Sequence, residues 1–174
     1  MTDTADTDLQ DLHLVRPRWT HVAIPTHDLE GSLEFWTDLT PLVVVWTNRD
    51  ATGAAAWLSN PGQVEDPFVL VLVELDNGTA ARFGIEPGRP VRTVGPFSHF
   101  GIELPSREAV DTVAARAQAL GRLQAEPVQL APHIGYVCSV TDPDGNTIEF
   151  SHNQRVYETI RRLWGEARRR DRRT

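Results

Sequence analysis

The chain repeats one supersecondary pattern, and that repeat limits its fold more than any single motif does. Trp19–Ile24 reads as a strand closed by Pro25, and Asp28 is placed to cap a helix that runs to about Leu39. Pro41 ends that helix, and three strand candidates follow at Leu42–Trp46, Ala55–Leu58 and Phe68–Leu75. The same order then returns. Phe97–Leu104 reads as a strand and Ser106 as a helix cap. Val110, Val113, Ala114, Ala117 and Leu120 mark the helix, and Gly121 stops it. Strand candidates follow near Glu126–Leu130, Gly135–Val140 and Thr147–Ser151. The expected fold class is α+β, built from two tandem βαβββ modules.

This reading divides the chain into an acidic arm (1–17), a first module (18–76), a connector (77–96), a second module (97–153) and a C-terminal helix with a basic tail (154–174). In the last segment Val156, Ile160, Leu163 and Ala167 fall on one helical face.

Composition removes several functions. One cysteine and one methionine rule out a disulfide framework and a cysteine-ligated zinc site. Cys138 lies in an alternating run and is expected in the core. All 17 basic residues are arginine, which excludes Schiff-base and lysine-base chemistry. A formal charge of −7 argues against nucleic-acid binding. No apolar run suggests a membrane span, and the N-terminus does not read as a secretory signal, so a cytoplasmic location is expected.

Each module opens on a strand with a histidine and closes on a strand with a glutamate. His21 and Glu74 are 53 positions apart, and His99 and Glu149 are 50 apart. Strand side chains alternate faces. Val22 and Ile24 therefore oppose His21, while Phe100, Ile102 and Leu104 oppose His99. Val73 and Leu75 oppose Glu74, and Ile148 and Phe150 oppose Glu149. With the apolar sets against the helices, all four polar residues are expected on the other side of the sheet. Two imidazoles and two carboxylates there make an N₂O₂ set for a divalent cation. For Glu74 the alternatives are an exposed strand carboxylate or a partner of Arg82 or Arg92. The turn Asp142-Pro143-Asp144-Gly145-Asn146 sets the register that aims Glu149.

These motifs resemble those of the vicinal oxygen chelate superfamily, which includes glyoxalase I, fosfomycin-resistance proteins, extradiol dioxygenases and bleomycin-resistance proteins. His21-Val22-Ala23-Ile24 with Asp28 to Trp36 is similar to the family's opening, and Ser98 to Ile102 to the start of its second module. Asp142 to Phe150 is similar to its closing motif. The resemblance implies a U-shaped, open eight-stranded mixed sheet. It also implies a metal held by His21, His99 and Glu149, with Glu74 as a fourth ligand or proton-transfer base. The metal would be Fe, Ni, Zn, Co or Mn.

Three chemistries fit that resemblance. A glyoxalase-like lyase or isomerase would chelate vicinal oxygens of a small-molecule substrate and use Glu74 or Glu149 as the base. A non-haem Fe(II) extradiol-type dioxygenase would use His21, His99 and Glu149 as a facial triad. A metal-free drug-sequestering protein would share the fold alone. Extradiol enzymes usually carry a tyrosine where Ser139 stands, which favours the first reading. His133 and Tyr136, on and beside a loop of the second module, are expected either to support a ligand or touch substrate, or to be plain loop residues. Trp19, Trp46 and Trp57 are expected either to line the cavity or to pack in the core. His27 is expected at the surface or at a helix cap, and His152 on the face away from Glu149. Open sheet edges suggest a homodimer, with the modules paired within one chain or exchanged between two.

Overall fold

The computed structural model describes residues 19–63, 67–95 and 97–162. The arm before residue 19 and the tail beyond residue 162 lie outside the described residues. Eight strands form two four-stranded mixed sheets, one for each repeat.

In the first repeat, β1 (His21–Pro25) leads to helix α1 (Leu29–Leu39) and then to β2 (Val43–Asp50), β3 (Gly53–Ser59) and β4 (Val69–Leu75). The strand order is β1-β4-β3-β2, with β1 parallel to β4 and the other pairs antiparallel. Two side-chain contacts fix the start of α1. The Asp28 carboxylate accepts the Gly31 N–H, and the Thr26 and Ser32 hydroxyls are 2.6 Å apart. Leu29, Phe35, Trp36 and Leu39 of α1 are buried with Ile24, Ala56, Leu58, Leu70 and Leu72 of the sheet.

A short helix follows, α2 (Asn77–Arg82), in the stretch the sequence reads as a connector. Asp76 caps it, accepting the Gly78 and Thr79 N–H groups.

The second repeat contains β5 (Phe100–Glu103), α3 (Arg107–Ala119), β6 (Leu123–Gln129), β7 (Tyr136–Thr141) and β8 (Thr147–His152), in strand order β5-β8-β7-β6. Ser106 caps α3 through the Ala109 N–H. Val110, Ala114 and Ala117 are buried with Cys138, Val140, Ile148 and Phe150. Cys138 is thus a core residue, and burial pushes its thiol up to about 11. Residues 156–162 begin the expected C-terminal helix.

The repeats join through the helix sides of their sheets. Trp36 meets Phe100 edge-to-face at 5.9 Å, and Arg116 pairs with Asp38. The closing turn provides a second junction. Asp142 Oδ1 accepts the backbone N–H groups of Asp144 and Asn146, and its Oδ2 accepts the Asn146 side-chain amide. Burial outweighs these bonds and raises the Asp142 pKa. Asp144 Oδ1 accepts the His27 N–H at 3.1 Å, the Val91 N–H at 3.1 Å and a 2.8 Å contact from His27 Nδ1. Asn146 Oδ1 accepts Thr93 N–H and Val94 N–H. The turn that sets the Glu149 register therefore also fastens the first repeat and the connector to the second. His27, expected at the surface or at a cap, is one of the fasteners.

Candidate functional site

The second repeat brings one histidine and one glutamate together. Ile148 and Phe150 are fully buried on the helix side of β8, so alternation turns Glu149 to the opposite face. Gly101 is the Cα partner of Glu149 across the β5–β8 ladder, and His99 lies two residues before it on the same side. No side chain at Gly101 stands between them. His99 Nε2 is 3.9 Å from Glu149 Oε2.

The proton arrangement at His99 follows from its neighbour. His99 Nδ1 is 2.7 Å from the Phe97 carbonyl oxygen, which can only accept. Nδ1 therefore carries the hydrogen, and in the neutral ring Nε2 presents its lone pair towards Glu149. This carbonyl-anchored arrangement is how a metal-binding histidine is commonly oriented. Two metal–ligand bonds of about 2.1 Å span at most about 4.2 Å, so one cation can touch both groups.

His21 faces the same way within its own sheet. Val22 and Ile24 pack towards α1, and His21 is exposed on the other side with Ala23. Its Nδ1 is 2.9 Å from the Thr20 hydroxyl. Trp46, Trp57, Val71 and Ala23 form one row across that face, and the two indoles are 4.8 Å apart. Both indoles remain more than two-fifths exposed. Trp19 is also exposed, at 85%. Among the described residues, no three His, Cys, Asp or Glu side chains come together as a metal-binding group. The described chain thus unites His99 with Glu149 and leaves His21 apart from them.

Glu74 takes the other face of its sheet, which corrects the expected register. Its cross-strand partner is Ala54, and buried Leu72 and Leu70 share its side of β4. Val73 and Leu75 are the residues that turn away from the helix. Glu74 Oε2 accepts the Leu29 N–H at 2.8 Å at the start of α1, and Arg49 lies 3.9 Å from Oε1. The cation near Glu74 is thus Arg49, rather than Arg82 or Arg92. Glu74 lines a hollow of about 200 Å³ with His27, Asn77 and Arg89.

Tyr136 is likewise on the helix side. It pairs with His152 across the sheet, while Ser139 pairs with Glu149, three residues further along β7. The Tyr136 hydroxyl donates to Asp111 Oδ1 at 2.6 Å, and this bond raises the phenol pKa. Arg107 stacks 4.0 Å above its ring. His152, as expected, faces away from Glu149; its Nδ1 is 3.2 Å from the Leu104 carbonyl. His133 sits in the exposed turn 131–134.

Beside His99 lies a groove of about 390 Å³. Trp36, Leu42, Phe68, Leu70, Phe100 and Ile102 supply its apolar wall. Asn60, Gln63, Glu103 and Tyr157 add polar groups, and Gln63 Nε2 donates to the Tyr157 hydroxyl at 2.8 Å. It shares no lining residue with the hollow beside Glu74. Gln154 also reaches the site, donating to Glu149 Oε1 at 3.3 Å. Sequence periodicity gave no sign of it, because it lies beyond the last strand.

Comparison with known proteins agrees with this architecture. Residues 18–150 match the family model described as the Glyoxalase/Bleomycin resistance protein/Dioxygenase superfamily. The uncharacterized protein PA2024 of Pseudomonas aeruginosa is 33% identical over 140 residues, covering 79% of this chain and 90% of that protein. A glyoxylase/bleomycin resistance protein/dioxygenase domain from Frankia sp. EAN1pec superposes with TM-score 0.59 at 19% identity, covering 77% of this chain and 95% of the other. The fosfomycin resistance protein FosX from Listeria monocytogenes, complexed with Mn(II) and a dihydroxypropylphosphonic acid, superposes with TM-score 0.54 at 17% identity. That match covers 81% of this chain and 95% of the other. The chain belongs to the glyoxalase/bleomycin resistance protein/dioxygenase superfamily.

Proposed function

We propose that the protein is a divalent-metal-dependent enzyme of the glyoxalase-like class, acting as a lyase or isomerase on a small molecule with adjacent oxygens. The observation that carries this reading is the His99–Glu149 pair, with the Nε2 lone pair directed at a carboxylate 3.9 Å away. His21, His99 and Glu149 would hold the cation. When bound, it would act as a Lewis acid on two neighbouring substrate oxygens.

His21 completes this set from a second copy of the chain. Strands β1 and β5 are both edge strands, so each offers an unpaired backbone edge to another copy. The row of Trp46, Trp57, Val71 and Ala23, with both indoles exposed, gives the His21 face an apolar surface for burial. Homodimerisation would cover it and bring His21 to His99 and Glu149.

The remaining steps belong to this chain's own side chains. The Phe97 carbonyl keeps the His99 proton on Nδ1 and frees Nε2 for binding. Glu149 accepts a proton from carbon next to a substrate carbonyl and returns it, since Glu74 is committed to the Leu29 amide. The groove that reaches His99 offers an apolar wall for a substituent of the substrate.

Metal analysis of the purified protein, followed by turnover assays with Ni, Co, Zn, Mn and Fe, tests this reading. Stoichiometric metal lost in both His99→Ala and Glu149→Gln, with oxygen-independent isomerisation or lysis, is expected. Iron with oxygen-dependent catechol cleavage would instead identify a dioxygenase. Ligand binding in the groove without any metal would identify a sequestering protein.

A further inference from the structure

We infer that Gln154 is a positioning residue for the Glu149 carboxylate, fixing one oxygen so that the other faces His99. This rests on the metal-site reading above. The two carboxylate oxygens have different surroundings. Oε1 accepts from Gln154 Nε2 at 3.3 Å, whereas Oε2 is the atom 3.9 Å from His99 Nε2. A carboxylate only accepts, so the Gln154 amide must present its nitrogen there. Its own oxygen then faces the buried Ser151 hydroxyl, at 3.4 Å. Ser151, Gln154 and Glu149 are linked in sequence by hydrogen bonds, and the far carboxylate oxygen lies 3.9 Å from His99.

Backbone geometry supports the assignment. Asn153 and Arg155, which flank Gln154, have φ of 66° and 61°, the only positive values for non-glycine residues among the described residues. Left-handed backbone is costly for a residue such as Arg and persists only where surrounding contacts enforce it. Those contacts are present. Arg155 Nε donates to Asn153 Oδ1 at 2.7 Å, and the Arg155 N–H donates to Glu103 Oε1 at 3.4 Å. Gly135 packs so closely that a Cβ there would lie 2.3 Å from the His152 carbonyl oxygen. The bend is therefore enforced from two sides, and it returns Gln154 over the strand it has just left. Without that amide, the Glu149 carboxylate turns about its last torsion and Oε2 loses its fixed position. Partners that orient a ligand in this way commonly contribute 10- to 100-fold to metal affinity.

Two variants of the full chain test this. Gln154→Ala removes the side chain, and Gln154→Glu keeps its shape while replacing the donor by an acceptor. Mn²⁺ affinity is measured by calorimetry, the Co²⁺ visible spectrum reports the ligand geometry, and metal-free melting reports folding. The expected result is a 10- to 100-fold weaker Mn²⁺ affinity in both variants, with a changed Co²⁺ spectrum and melting of Gln154→Glu close to that of the unsubstituted protein. Unchanged affinity and spectrum in Gln154→Glu, with binding abolished in His99→Ala, would overturn the role of Gln154 and leave the metal site standing. Absence of binding of Mn²⁺, Co²⁺, Ni²⁺, Zn²⁺ and Fe²⁺ by the unsubstituted protein would overturn both.

Discussion

The Glu74 carboxylate accepts the backbone N–H of Leu29 at 2.8 Å, joining residues 45 positions apart. A helix start leaves backbone donors without intrahelical partners, and Glu74 satisfies one from a neighbouring strand. Its negative charge also suits the positive end of the α1 dipole. Glu74→Ala is expected to lower stability by about 1 kcal/mol, the usual cost of losing a helix-cap acceptor. Metal affinity is expected to stay within a few-fold of the unsubstituted protein. Urea unfolding and metal titration on the same preparation check the two halves separately.

The contrast between Glu74 and Glu149 shows what the sequence could convey. Around Glu149, polar Thr147 and Ser151 share one face while Ile148 and Phe150 share the other, so alternation alone orients the strand. Around Glu74, the run Val69-Leu70-Val71-Leu72-Val73 is apolar on both faces, and period two carries no direction. Packing decides: Leu70 and Leu72 fill the space under α1, and Glu74 follows them. The repeat, the helix caps at Asp28 and Ser106 and the opposed faces of His99 and Phe100 and of Glu149 and Phe150 were accessible from residue pattern. Gln154 was not, because its position depends on left-handed backbone at Arg155 as well as at Asn153, and only the asparagine has a local propensity for it. The His27–Asp144 contact spans 117 positions and is equally silent in the sequence. Helix α2 left a readable trace in Asp76, but its surrounding Gly and Pro residues argued for a connector.

Asp144 ties three segments together and is almost fully buried, with a side chain 1% exposed. Asp144→Ala would leave the backbone N–H groups of His27 and Val91 without their acceptor. A loss of about 1–3 kcal/mol is expected, because the two backbone donors are only partly buried and water can satisfy them in part. Asp144→Asn retains an acceptor oxygen and should cost less. Chemical denaturation of both variants checks the order.

Cys138 is expected to be chemically silent in the folded protein. Its thiol is buried in the second sheet's core, and desolvation, with Asp111 adding a negative charge, pushes it up to about 11. The thiolate is the reactive form, so it is scarce at pH 8. A thiol-specific reagent at pH 8 should label the native protein far more slowly than the urea-unfolded chain. Labelling at equal rates would place Cys138 at an accessible surface instead.

A mixing experiment tests the proposed sharing of a metal site between two copies most directly. His21→Ala chains and His99→Ala chains are purified separately, each expected to lack metal, then unfolded together and refolded. If His21 of one copy joins His99 and Glu149 of the other, every mixed dimer carries one intact site and one doubly altered site. Random pairing then restores about a quarter of the metal bound by the unsubstituted protein, since half the dimers are mixed and each has one working site of two. Recovery near that quarter is the expected result. No recovery, or full metal binding by His21→Ala alone, would contradict it.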